Sequence, residues 1–107
     1  NRIRVPVLLA GRVLADTTRA VTLLEATLRP VFYIPREDAD MSLLVRSDHT
    51  THCPYKGDAS YFTISADGRT AENAVWSYER PFPAVAAIAD RLAFYPQRVD
   101  AIDELPA

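Results

Sequence analysis

Tyr61-Phe62-Thr63-Ile64-Ser65-Ala66-Asp67-Gly68-Arg69-Thr70-Ala71-Glu72-Asn73-Ala74-Val75-Trp76 decides the fold class. From Tyr61 to Ser65 the residues alternate, with Phe62 and Ile64 on one face and Tyr61, Thr63 and Ser65 on the other. That period of two is the signature of a strand. Asp67-Gly68 then supplies the two central residues of a tight reverse turn, which needs positive φ at both. The chain is therefore expected to double back into a second strand over Ala71–Trp76.

Working outward, the same reading recurs. Val5, Val7 and Leu9 alternate in a first strand, and Ala10-Gly11 offers a turn into Val13-Leu14-Ala15. Pro6 has no N–H to donate, so the first strand is expected at a sheet edge. Ala20–Leu24 reads as a strand, with helix a competitor because Leu23, Leu24 and Leu28 also fit helical spacing. Val31–Ile34 and Leu43–Val45 read as strands of β-branched and apolar residues. The second of these is expected to end at the polar run Ser47–Thr51. Arg36–Asp40 fits one helical turn. After Pro81 and Pro83, Val85, Ile88, Ala89 and Leu92 fall at helical spacing, so one short helix is expected near 83–91. It should lay Val85, Ile88 and Leu92 on the sheet beside Phe62, Ile64, Val75 and Phe94. Ala93–Tyr95 and Val99–Ile102 close as strands, and the tail Glu104–Ala107 is expected to be loose. The expected fold is mostly β (α+β at most), a single domain over 1–107.

Composition bounds the function. At 107 residues and a net charge of −2, with eleven arginines spread along the chain, no basic surface for nucleic acid is implied. No apolar run approaches the ~20 residues that span a bilayer. One cysteine cannot form an internal disulfide, which favours the cytoplasm. The chain does not begin with Met, which suggests that it is trimmed or excised from a longer protein.

Every chemically unusual side chain gathers in one segment. The only lysine and the only cysteine lie in Thr51-His52-Cys53-Pro54-Tyr55-Lys56-Gly57, and His49 and His52 are the only histidines. A chain that otherwise uses arginine throughout points to a site here that rejects the planar guanidinium. Cys53 is a candidate nucleophile with His49 as the likelier partner, because adjacent residues on an extended chain point apart. The alternative is a small packing cysteine. Three cramped ligands and a neighbouring lysine argue against a metal, and no cofactor motif is present. Lys56 suits an anion hook or an ion pair with Glu25 or Asp38. Trp76 and Tyr78 share one face if Ser77 is extended.

Glu25–Pro30, Tyr33–Asp38, the Thr51–Gly57 run with Ala59-Ser60-Tyr61, Trp76-Ser77-Tyr78 and Ala93-Phe94-Tyr95 together resemble domain of unknown function family 427, also labelled nucleotidyltransferase-like. The resemblance implies a β-tent-like pair of antiparallel sheets, similar to that of methionine-R-sulfoxide reductases and the cereblon ligand-binding domain. Tent relatives often hold zinc with two Cys-x-x-Cys pairs, which one cysteine cannot supply. The nucleotidyltransferase label finds no support here: there is no glycine-rich loop, and the close carboxylates Asp38 and Asp40 fall in the expected helical turn, where acids near the N-terminus are ordinary.

The resulting expectation is a module binding an unknown small molecule, anionic or aromatic, at a pocket around the Cys-Pro-Tyr-Lys-Gly loop. Tyr55, Lys56, Trp76, Tyr78, Glu25 and Asp38 are its candidate ligand-binding residues. Thiol chemistry at Cys53 with His49, or a protein-interaction role for exposed strand edges, are the alternatives. Oligomeric state is not legible.

Overall fold

A computed structural model describes residues 2–25 and 28–107. Among the described residues ten strands carry the fold: β1 Ile3–Leu9, β2 Arg12–Thr17, β3 Val21–Leu23, β4 Val31–Tyr33, β5 Leu44–Cys53, β6 Gly57–Ala66, β7 Arg69–Ser77, β8 Ala93–Phe94, β9 Ala101–Ile102 and β10 Leu105–Pro106. All pairings between them are antiparallel. One sheet runs β5-β6-β7-β8. A second is built on β1, with β2 on one side and both β9 and β10 on the other, and β3 pairs with β4. The fold is mostly β, as the alternation of Tyr61–Ser65 requires.

The two predicted turns form as expected. Asp67 and Gly68 have φ of 49° and 80°, and Ala10 and Gly11 have φ of 53° and 74°. Both match the positive-φ pair that a two-residue hairpin needs. Val5, Val7 and Leu9 are completely buried, and they meet Phe62, Ile64, Val75 and Phe94 in the main core. The register aligns Phe62 with Val75 and Val75 with Phe94, so one cross-strand row forms the inner face of the four-stranded sheet. Its other face is also covered. Ala59, Tyr61, Tyr78 and Ala93 form a second cluster there with Tyr33 from β4 and Ile88.

Four sequence expectations are corrected. β1 is central in its sheet rather than at an edge. Pro6 is tolerated because it lies between the β10 and β9 contacts, where only its carbonyl is used, accepting from the Asp103 N–H at 3.1 Å. The polar run Ser47–Thr51 does not end β5 but continues it to Cys53, across a register shift between Arg46 and Thr50. The tail is paired, since Leu105 and Pro106 lie opposite Arg4 and Ile3.

The helix near 83–91 is present only as 3-10 turns over Pro83–Ile88, broken at Val85 (φ −123°). No side chain caps its start. Ile88 enters the second cluster while Leu92 enters the main core. One helical stripe cannot serve both clusters, so the helical backbone has ended by Ala89 and Leu92 adopts extended geometry. There it exchanges two 2.8 Å backbone hydrogen bonds with Ile34, tying the β4 end to the four-stranded sheet. No helix of the described residues is long and apolar enough to cross a membrane.

Candidate functional site

The Pro54-Tyr55-Lys56 turn joins β5 to β6, with Cys53 opposite Gly57. The Lys56 N–H donates to the Cys53 carbonyl at 3.2 Å, and the Lys56 carbonyl accepts from Phe82 at 3.0 Å. These two bonds anchor the turn to the segment after β7. Gly57 has φ +109°, which a side chain rarely adopts. Its pro-Cβ direction faces the Arg80 carbonyl and Pro81. Lys56 is thereby folded inward, and its side chain is only 11% exposed.

The Lys56 ammonium donates to Glu25 Oε1 at 2.7 Å and lies 5.8 Å from the Tyr78 ring centroid. Burial disfavours the charge, but the Glu25 hydrogen bond and charge outweigh it, and the lysine pKa is raised. Cys53 is half-buried. Burial pushes its thiol up, yet the backbone N–H groups of Tyr55 and Lys56 and the Lys56 charge outweigh that, so the net shift is downward.

Tyr33 connects this cluster to Trp76. Its ring packs against Tyr78 at 6.5 Å and edge-on against Trp76 at 6.4 Å. The Trp76 indole N–H donates to the Tyr33 hydroxyl at 3.3 Å. Burial, the largest influence, raises the Tyr33 and Tyr78 phenols, keeping both neutral. Tyr95 packs on Trp76 in a tilted contact, with ring centroids 4.4 Å apart.

Beyond Trp76 lies a groove of about 390 Å³, lined by Val7, Pro30, Val31, Phe32, Ile34, Trp76, Phe94, Pro96 and Ile102, with Arg29 and Glu104 also on its border. It sits where β1 and β9 approach β4, β7 and β8. Of the six predicted ligand-binding residues only Trp76 lines it.

The others are placed as follows. Glu25, Lys56 and Tyr78 come together on the far side of Tyr33. Tyr55 projects from the turn and is 79% exposed. Asp38 is not a Lys56 partner: it accepts from Thr17 at 2.7 Å and pairs with Arg19 at 3.0 Å. These bonds, Arg19 first, hold its carboxyl below the usual range. His49 packs on Tyr61 at 4.5 Å, and the polar groups acting on Cys53 come from its own turn, not from His49. His52 bonds Asp58 at 2.7 Å on the exposed surface. Among the described residues, no three His, Cys, Asp or Glu converge to hold a metal ion.

Sequence reading missed a polar network centred on Glu79, just after β7, that reaches β5 and β6. Glu79 accepts from Arg46 at 2.6 and 3.0 Å, from Arg36 at 3.0 Å and from Ser60 at 2.9 Å. The two guanidiniums flank the Phe62 ring at 5.4 and 5.0 Å. Arg36, on a 3-10 turn over Arg36–Asp38, also donates to buried Ser77 on β7 and to the Asp90 carbonyl after the Pro83–Ile88 turns. The bond from Arg46, aided by Ser60 and Arg36 against an opposing effect of burial, lowers Glu79 to about 2. The available signal was Glu79 directly after Trp76-Ser77-Tyr78, and Arg36 inside the Tyr33–Asp38 stretch.

The family model of the domain of unknown function DUF427 matches residues 1–104, and the chain belongs to that family. No curated protein matches it.

Proposed function

For this member of the DUF427 family, we propose a binding module for a small, largely apolar molecule, seated in the groove over Trp76. The observation that carries this reading is the groove itself: about 390 Å³ bounded by three aromatic rings and two prolines. Pockets of about 300–1,000 Å³ with mostly apolar walls are the usual form of small-molecule sites. Lys56 and Glu25 act as supports. Their ion pair fixes Tyr78, which packs on Tyr33, whose hydroxyl orients the Trp76 indole. The lysine is thus a positioning residue, and the unusual turn serves the groove from behind.

Trp76 is the only tryptophan, so its emission reports on this site alone. Ethylbenzene and other flat apolar compounds that absorb at shorter wavelength than tryptophan should shift that emission, excited selectively, and raise Tm by mass action. Ile102→Phe, which fills the groove from β9, should weaken both responses. Trp76 emission and Tm indifferent to every such compound at millimolar concentration would overturn the reading.

A second reading, thiol chemistry at Cys53, is favoured by the Tyr55 and Lys56 N–H groups acting on its sulfur and by the lowered pKa. Iodoacetamide should then label Cys53 faster than a free thiol peptide at pH 7, and Lys56→Met should slow it. Labelling no faster than the peptide removes this reading.

A further inference from the structure

Resting on the groove reading, we propose that the ligand is an aromatic zwitterion of the aromatic α-amino acid class. Its ring would lie in the groove and its two charges at the border. The walls set the inserted part. Phe32 and Trp76 present aromatic surface and Ile102 adds aliphatic surface, over a floor backed by the buried Val7, Ile34 and Phe94. The single polar hydrogen on these side chains, the Trp76 indole N–H, is already given to Tyr33. A ligand group that needs a hydrogen bond would lose its water there without a side-chain replacement, so the inserted part is apolar. Flat walls favour a flat ring, through offset or edge-on contacts.

The border sets the other end. Arg29 and Glu104 are the charged lining residues, one of each sign, and both are exposed. Among the described residues neither enters an ion pair. A purely anionic ligand would meet the Glu104 carboxylate as well as Arg29, and a purely cationic one would meet Arg29 as well as Glu104. Only a ligand carrying both charges complements both residues. The volume suits one ring system with a short polar head rather than an extended chain.

The test compares phenylalanine, 3-phenylpropionate, phenethylamine and ethylbenzene, which share a ring and differ in charge. Binding is followed by Trp76 emission and by titration calorimetry. Phenylalanine should bind tightest, with each singly charged analogue weaker by roughly two- to fivefold, the range for exposed charge pairs. Arg29→Gln should erase the advantage of phenylalanine over phenethylamine, and Glu104→Gln its advantage over 3-phenylpropionate. Both residues are exposed, so the fold should survive either change. Ethylbenzene binding as tightly as phenylalanine, or advantages that persist in both variants, would overturn the zwitterion inference and leave the groove reading standing. If none of the four compounds moves Trp76 while the chain remains folded, the groove reading fails with it.

Discussion

Glu79→Gln isolates the polar network on the four-stranded sheet. The change keeps the shape of the side chain and removes the charge that accepts from Arg36 and Arg46. The carboxyl falls from an ordinary 4.5 to about 2 in the folded protein. At about 1.4 kcal/mol per pKa unit this sets an upper limit of about 3.5 kcal/mol on the network's preference for the ionised form. The Glu79 side chain is 29% exposed and that of Arg46 51%, so solvent screening reduces the expected contribution to about 2 kcal/mol. Because the folded value lies below the unfolded one, this stability is complete above about pH 4.5 and is lost as pH falls through about 2. Urea denaturation of parent and variant at pH 7, 4, 3 and 2 measures it. The variant should be less stable by about 2 kcal/mol at pH 7, and the gap should close steadily below pH 4.5. A gap under about 0.5 kcal/mol at pH 7, or one that stays constant down to pH 2, would refute the reasoning.

Three further outcomes are expected. Lys56→Arg should cost about 1–3 kcal/mol in urea denaturation, because the longer planar head must fit an inward position already closed by Tyr78 and Glu25. Gly57→Ala should lose about 1–3 kcal/mol through backbone strain at φ +109°, since the added Cβ would meet Arg80 O at an ordinary 3.5 Å. Its m-value should stay that of the parent. Leu92→Ala, at a completely buried position, should cost about 2–5 kcal/mol. Loss of hydrogen-exchange protection should then appear first at the Ile34 and Leu92 amides, which close the bridge between β4 and the sheet.

The sequence by itself determined what depends on neighbours along the chain. Period-two alternation fixed the strands of the Tyr61–Trp76 hairpin, and Asp67-Gly68 fixed its turn, because both are set by local sterics. The sequence singled out Lys56 as an anion hook or an ion-pair partner of Glu25 or Asp38 without deciding between these. Tertiary structure decided what depends on residues far apart. Glu25 rather than Asp38 reaches Lys56 because Arg19 and Thr17 hold Asp38 at the end of β2. Helical spacing over Val85–Leu92 suggested one stripe, but two separate clusters divide Ile88 from Leu92 and break the helix. Pro6 could not reveal that β9 and β10 would leave a gap for its missing donor. The groove is assembled from β1, the approach to β4, β7, β8 and β9, so no contiguous motif announces it. Composition along a chain records which side chains are scarce. Which of them face a common space is set by the closing of sheets on one another.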